Sequence, residues 1–184
     1  MNRLSTILIL IIVIDFSTSG TSAENSLKHE IQSAFIYKFI KFIDWENSSH
    51  IDDKGNICVS VLGKGSINDP ISKINQKEVK GSKINIWFIN SLDELKECKI
   101  LFIPPEINFD IKNHSEHLKS IGVLTISEKK NFAQSGGIIN YITVNNKLNF
   151  EINLEQARSS NITISSKLLQ LARIVERGSF LNKK

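Results

Sequence analysis

Two histidines are the first candidates for chemistry in this sequence. His114 and His117 are three residues apart with Glu116 between them, a spacing that could place two metal ligands on one face of a helix. No third ligand stands at a fixed offset from them, and the spacing of four that metalloproteases need is absent. A solvated helix face is the better interpretation, and no metal site is predicted.

A pair of glycines could contact a phosphate. Gly63 and Gly65 follow an aliphatic segment, the position at which dinucleotide-binding folds place glycines against a pyrophosphate. Asn68 stands where the third glycine of that fingerprint belongs, and no Walker lysine motif is present. The two glycines are therefore interpreted as a turn from strand to helix, and no cofactor is expected.

Several serines are nucleophile candidates by residue type alone, namely Ser127, Ser135, Ser165 and Ser166. None of them lies in a Gly-x-Ser-x-Gly elbow, and no histidine partner is close in sequence. Ser165 is better placed to cap the last predicted helix. The sequence therefore predicts no catalytic residues, and the protein is not expected to be an enzyme.

The two cysteines predict a disulfide. Cys58 begins the first predicted strand and Cys98 precedes the third. In the strand order 2-1-3-4-5 these strands are parallel neighbours, which brings the two sulfurs to bridging distance at the same end of the sheet. Two buried free thiols are the alternative. Whether a bridge is structural or a reversible redox sensor stays open.

The N-terminus has the layout of a secretory signal. Arg3 provides the positive start, the aliphatic run of residues 7–14 follows, and Thr21-Ser22-Ala23 fits the requirement of signal peptidase. The run is too short to span a membrane, which needs about 20 apolar residues. We therefore expect residues 1–23 to be a signal peptide, residues 24–184 to form a single domain, and the protein to be in the periplasm.

Charge and composition exclude some classes of partner. The chain has 23 basic and 19 acidic residues, a formal charge of +4, and the basic residues are scattered among the acidic ones. A nucleic-acid-binding protein is expected to gather its positive charge in a patch or stripe. No nucleic-acid partner is predicted.

The pattern of apolar residues predicts an α/β fold. Short aliphatic strands alternate with helical segments, and Asn145-Asn146 is typical of the turn between two antiparallel strands. This alternation favours a doubly wound, mostly parallel sheet with helices on both faces and a C-terminal antiparallel hairpin. The strands are expected at 57–62, 84–89, 99–103, 123–126, 138–144 and 148–152, and the helices at 27–45, 68–73, from Ser91 onward, 110–120 and 165–176.

The first predicted helix, residues 27–45, is more apolar than a single buried stripe requires. Gln32, Lys38 and Lys41 are expected to keep one side in water. These additional apolar residues predict a partner or dimer interface. A central helix that the rest of the domain covers on several sides is the alternative. The interface residues would be Phe35, Ile36, Phe39, Ile40 and Ile43.

Several stretches along the mature chain together resemble the YfiR family of periplasmic regulatory proteins. They are residues 31–42 with Trp45, 57–63, 98–103, 123–127 with Phe132-Ala133, 136–139, 150–153 with Ala157, and 165–172. The resemblance implies a periplasmic protein that restrains an inner-membrane signalling protein. In the best-known branch this partner is a diguanylate cyclase, and a sensor kinase is the alternative because other branches lie near sensor kinases.

The resemblance also implies an assembly. An outer-membrane lipoprotein relieves the restraint in that branch, family members form homodimers, and a disulfide carries over onto Cys58 and Cys98. The second cysteine pair that some relatives have after the fourth strand is absent from this sequence, so redox control by that pair does not transfer. The competing interpretation is a periplasmic small-ligand binding protein with a pocket near Gly63, Gly65 and Pro104.

Overall fold

The computed structural model describes residues 20–46, 50–95 and 98–178. Its helices are α1 (Gly20–Phe42), α2 (Asn68–Ser72), α3 (Ser115–Ser120), α4 (Leu154–Ser159) and α5 (Ser166–Leu169), with short 3-10 helices at Leu92–Glu94 and Ile111–Asn113. Its strands are β1 (Ile43–Trp45), β2 (Ile57–Leu62), β3 (Glu78–Val79), β4 (Ser82–Ile89), β5 (Ile100–Ile103), β6 (Leu124–Ser127), β7 (Ile139–Val144), β8 (Lys147–Asn153), β9 (Ile162–Ile164) and β10 (Arg173–Val175).

A mostly parallel sheet of eight strands forms the centre of the fold, in the order β10-β8-β7-β6-β5-β2-β4-β3. Strands β4, β2, β5, β6 and β7 are parallel to one another, while β8 is antiparallel to β7 and β3 is antiparallel to β4. A second, two-stranded sheet pairs β1 with β9. The predicted α/β class with a mostly parallel sheet is confirmed.

The central strands are buried on both faces because they are almost entirely aliphatic. Every residue of β2, β5 and β6 is buried, as is typical of parallel strands covered on both sides. Alternate side chains of β2 enter two separate hydrophobic clusters: Val59 and Val61 join the one that includes α1, and Cys58 and Leu62 join the one that includes Leu118 of α3. The sheet thus separates two cores.

The C-terminal hairpin is also confirmed. Strands β7 and β8 pair in register from Ile139 with Ile152 to Val144 with Lys147. Asn145 and Asn146 form the turn with φ values of 50° and 58°, the left-handed conformation that a tight two-residue hairpin requires and that asparagine tolerates.

The predicted helix at 165–176 is wrong beyond its first turn. Ser165 does cap a helix, since its side chain accepts a hydrogen bond from the Lys167 amide, but α5 ends at Leu169. The chain then extends as β10, which pairs in parallel with β8. The helical spacing of apolar residues misled the prediction because Leu171 is 69% exposed and Ile174 is 47% exposed.

The predicted helix from Ser91 is short. Only Leu92–Glu94 is helical, of the 3-10 type, and the Ser91 side chain makes no capping hydrogen bond. Glu94 instead accepts a hydrogen bond from the Asn90 amide. The predicted signal segment lies almost wholly outside the described residues, and Thr21–Ala23 belong to the first turns of α1. Within the described ranges no helix combines the length and apolarity needed to cross a membrane.

Candidate binding surfaces and the disulfide

The residues predicted to form an interface lie mainly in the core. Four of them are completely buried within the chain: Ile36, Phe39, Ile40 and Ile43. The fifth, Phe35, is half-buried and its ring lies 5.5 Å from that of Phe150. The alternative of a central helix therefore accounts for these side chains, and any interface on α1 has to use other residues.

Packing on the C-terminal hairpin explains the wide apolar side of α1. The Phe39 ring lies 5.9 Å from Tyr141 on β7 and 5.1 Å from Phe150 on β8. The Tyr141 hydroxyl donates a hydrogen bond to the Gln32 carbonyl, and burial raises the pKa of this tyrosine well above its ordinary value. Gln32, predicted to be solvated, is buried and donates to Glu128. The solvent-exposed side of α1 is therefore narrower than predicted.

A groove of about 810 Å³ lies along the other side of α1, between this helix and α2. We call it the α1–α2 groove. Its apolar lining is provided by Ala34, Tyr37, Phe42, Pro70, Ile74 and Leu171. The groove brings together three segments that are distant in sequence. No sequence pattern indicated it.

The same groove is basic. Lys38, Lys41, Lys73 and Lys77 line it, together with a single acidic residue, Glu30. Lys73 pairs with Glu30 at 2.6 Å. In the described part of the chain, the other three lysines form no ion pair with a carboxylate. The lining thus has a formal charge of +3.

Cys58 and Cys98 form a disulfide, with their Cα atoms 4.9 Å apart. The bridge forms because β2 and β5 are parallel neighbours, as predicted, with Val59 aligned with Ile100. Both cysteines are 6% exposed and belong to the core cluster on the α3 side of the sheet. This burial is typical of a structural bridge.

A small cleft of about 300 Å³ reaches the disulfide from solvent and is lined by Trp87 and Asp52 as well as both cysteines. Hydrogen bonds from the amides of Asn56 and Lys54 lower the pKa of Asp52. Trp87 and its neighbour Phe88 are about half exposed on β4.

The crevice predicted near Gly63, Gly65 and Pro104 is filled by the protein between Gly65 and Pro104, whereas Gly63 lines an open groove that is described below. A Cβ added at Gly65 would lie 2.7 Å from the Cβ of Pro104, and one added at Gly63 would lie 2.5 Å from the Ile107 side chain. Ser66 also donates a hydrogen bond of 2.6 Å to Glu106. Close packing of the two loops is therefore what these glycines permit.

Hydrogen bonds hold Glu106 in its ionised form at this closed crevice. Burial alone would raise its pKa, but hydrogen bonds from the hydroxyl and amide of Ser66 lower it below the ordinary value. The hydroxyl of Ser66 also lies 3.2 Å from His29 on α1. The crevice is thus closed by polar contacts as well as by packing.

A second groove of about 810 Å³ opens beside this crevice at the carboxyl ends of β2 and β4. Leu62, Phe109, His114 and His117 are among its lining residues. The His114 ring stacks on Phe109 at 4.7 Å, so it is held by packing. No cluster of three or more histidine, cysteine or acidic residues suited to a metal occurs in the described ranges.

Two of the candidate nucleophiles, Ser127 and Ser165, have structural roles. Ser127 is completely buried, and its hydroxyl donates a hydrogen bond of 2.7 Å to the Ile103 carbonyl. This bond ties β6 to its neighbour β5. Ser165 caps α5, as described above.

A buried carboxylate was missed by sequence reasoning. Glu151 on β8 is 1% exposed. It forms an ion pair with Arg173 of β10 and accepts hydrogen bonds from Gln134 at 3.1 Å and Asn140 at 3.3 Å. The position of this glutamate within a predicted strand was the available signal. A buried acid in a strand indicates that a cationic residue elsewhere in the chain pairs with it. The pair fixes β10 to the sheet.

His50 is a second buried ionisable group. It is 6% exposed, and its ring stacks on Trp45 at 4.6 Å. Burial lowers the pKa of His50, with a smaller contribution from the Lys80 ammonium, against which Asp44 acts in the opposite direction. His50 is therefore held neutral in the folded protein.

Comparison with known families supports the resemblance. A family model described as YfiR/HmsC-like matches residues 29–173. This range runs from the middle of α1 to the first residue of β10 and includes both cysteines of the disulfide. No curated protein matched the chain. The match covers well over half of the sequence, and the chain belongs to the YfiR/HmsC-like family.

Proposed function

We propose that this protein is a periplasmic regulator that binds and restrains an inner-membrane signalling protein. The partner would be a diguanylate cyclase, with a sensor kinase as the alternative. The observation that carries the proposal is the family match over residues 29–173, because this family is regulatory and its name-giving branch acts in cyclic di-GMP signalling. The protein acts by binding, without turnover of its own.

Periplasmic location is part of the proposal. The N-terminal segment has the layout of a signal peptide with cleavage after Ala23. A disulfide between Cys58 and Cys98 fits an oxidising compartment. Mass measurement of the protein recovered from the periplasm should give a chain that begins at Glu24 or within two residues of it. An intact mass that includes residues 1–23 would contradict export by this route.

We also propose the assembly that the family suggests. The regulator would form a homodimer, and an outer-membrane lipoprotein would release the signalling protein by binding the regulator. Light scattering of the protein recovered from the periplasm tests the dimer. The chain of 20.8 kDa loses its signal peptide, so a dimer should have twice the mass of the mature chain. The mass of a single mature chain at micromolar concentration would contradict the dimer.

Deletion of the gene tests the function itself. Removing a restraint on a diguanylate cyclase should raise cellular cyclic di-GMP, and complementation with the full-length gene should return it to the starting level. Co-purification from native inner membranes with the tagged regulator should identify the partner. Unchanged cyclic di-GMP together with no change in the phosphorylation of any co-purified kinase would refute the proposal.

A small-ligand binding protein is the second candidate. The open groove beside His114 and His117, at the carboxyl ends of β2 and β4, favours it, because ligands bind at this edge of parallel sheets. Native mass spectrometry of the protein from the periplasm tests it. A co-purified small molecule that a His117→Ala variant loses would support this candidate, and a bare protein mass would count against it.

A further inference from the structure

The α1–α2 groove contains apolar surface that the chain itself does not cover. Leu171 is 69% exposed, Ala34 is exposed, and Tyr37 and Phe42 are half-buried. Pro70 and Ile74 are buried at the α2 side of the groove. Apolar side chains at the centre of a groove with charged residues around them match the composition of protein–protein interfaces.

The length of the groove suits a short helix. Its residues on α1 run from Glu30 to Phe42 at intervals of three and four, which corresponds to roughly 18 Å along a helix axis. A groove of this length that combines apolar and charged side chains can receive the apolar side of an amphipathic helix of about 12 residues. Extended peptides more commonly bind at sheet edges or in aromatic clefts.

The charge of the groove specifies the partner further. Lys38, Lys41 and Lys77 have no carboxylate partner among the described residues. The Lys38 ammonium lies 5.6 Å from the centre of the Phe35 ring, and that of Lys41 lies 6.0 Å from the Phe42 ring. The groove has a formal charge of +3, whereas the whole chain has +4. Acidic side chains on the partner would complement this charge.

We propose that the α1–α2 groove binds a short amphipathic helix of the signalling partner, with apolar residues on one side and acidic residues beside them. This inference rests on the proposed function. Leu171 and Ala34 contact the apolar side of the bound helix, and Lys38, Lys41 and Lys77 pair with its carboxylates. The groove thus determines which periplasmic segment the regulator recognises.

A synthetic peptide tests the proposal directly. The probe is a fluorescein-labelled amphipathic peptide of about 14 residues, with leucines at positions i, i+3, i+4 and i+7 and glutamates beside them. The control probe has lysine in place of each glutamate. Fluorescence anisotropy with the protein recovered from the periplasm should show binding of the acidic peptide alone. Its affinity should fall as salt is added, because salt screens exposed charges.

Protein variants locate the binding site. The double variant Lys38→Glu/Lys41→Glu should bind the acidic peptide at least about tenfold more weakly. Leu171→Ser, which removes the apolar contact while keeping the charges, should weaken binding by about three- to tenfold. Lys147→Glu is the matched control, because Lys147 is exposed on β8, away from the groove lining, and it should leave the affinity unchanged.

Three results would overturn the proposal. The first is no binding of the acidic peptide at millimolar concentration, and the second is equal binding of both probes. The third is lysine-dependent binding to phosphatidylglycerol vesicles that is stronger than binding to the acidic peptide, which would assign the groove to a membrane surface. Circular dichroism of each variant would first establish that it is folded.

The experiment also separates this proposal from the proposed function. Deletion of the gene can raise cyclic di-GMP while the Lys38→Glu/Lys41→Glu variant restrains signalling fully. That result would reject the groove and keep the regulatory function. If deletion has no effect on signalling while the peptide results hold, the groove binds an acidic helix but the proposed function fails.

Discussion

The two sides of α1 have different residues and different surroundings. On one side, Ile36, Phe39 and Ile40 are completely buried against the sheet. On the other, Lys38 and Lys41 are exposed and line the α1–α2 groove. The first side stabilises the domain, whereas the second is available to a partner.

An unusually apolar helix does not by itself present a surface to a partner. The additional apolar residues of α1 are buried within the chain. Phe39 packs on the hairpin of β7 and β8, and the helix is followed directly by Ile43 of β1, which pairs with β9. A count of apolar residues therefore locates the core of this domain. The proposed binding surface is marked instead by apolar residues that stay exposed, as Leu171 does, beside lysines that have no carboxylate partner among the described residues.

The largest expected effect is on the buried side of α1. Ile40→Glu places a carboxylate at a completely buried position, and the loss of stability should be at least about 4 kcal/mol because the charge has no partner there. Circular dichroism and urea unfolding would measure it. Lys41→Glu, at the next residue, is the control and should remain folded. An Ile40→Glu protein with an unchanged unfolding midpoint would contradict the assignment of this side to the core.

The disulfide should have the next largest effect. It closes a loop of 40 residues, and the chain-entropy model gives up to about 4 kcal/mol for a loop of this size. Non-reducing peptide mapping should find Cys58 joined to Cys98, and Cys98→Ala should lower the free energy of unfolding. Two thiols that react with iodoacetamide in the folded protein would show that the bridge is absent.

Loss of the partner of Glu151 should come third. Arg173→Ala leaves a carboxylate that is 1% exposed without its cation. The cost should be about 2–3 kcal/mol, below the full value for a buried pair because the Arg173 side chain is 46% exposed and water can replace it. Arg177→Ala, which removes an exposed pair with Glu116, is the control and should cost less than about 1 kcal/mol. Equal losses in the two variants would mean that Glu151 does not depend on Arg173.

His50, which stacks on Trp45, should make the stability of the protein depend on pH. Its pKa is lowered in the folded protein from the ordinary 6.5, so the unfolded chain takes up a proton first as the pH falls. The contribution of His50 to the free energy of unfolding is complete above about pH 6.5. It is lost as the pH falls from there toward the lower pKa of the folded protein. Thermal unfolding between pH 8 and pH 5 should show a steeper loss in the native protein than in His50→Asn. Identical slopes would show that His50 is not the group responsible.

Much of the fold could be predicted because its central strands are continuous aliphatic segments. β2, β5 and β6 are buried on both faces, and their parallel order places Cys58 beside Cys98. The short strand β10 could not be predicted, since it is held by the ion pair of the half-exposed Arg173 with the buried Glu151, while Ile174 is exposed. Contacts of this kind depend on the tertiary structure.

The α1–α2 groove could not be predicted for a related reason. It forms where Ala34, Ile74 and Leu171 approach one another across the folded domain. Each of these residues is ordinary in its own segment, and the exposed lysines are spaced like those of any solvated helix. The sequence did favour α1 for a partner interface, but it selected the side that packs in the core.

The exposed side of α1 should contribute little to stability. Each of Lys38→Glu and Lys41→Glu should change the free energy of unfolding by no more than about 1 kcal/mol, because both side chains are exposed, neither has a carboxylate partner among the described residues, and a contact with a neighbouring aromatic ring is weak at an exposed site. Urea unfolding of the two single variants would measure this. A loss of several kcal/mol would mean that this side of the helix supports the fold.

We propose that the exposed side of α1 holds the signalling partner, and the decisive measurement is cellular cyclic di-GMP in a strain that produces the double variant Lys38→Glu/Lys41→Glu. With periplasmic levels matched by immunoblot, the double variant should give the raised cyclic di-GMP of the deletion strain, while Lys147→Glu should give the low level of the native protein. A double variant that is folded, present at the native level and fully able to keep cyclic di-GMP low would contradict the account.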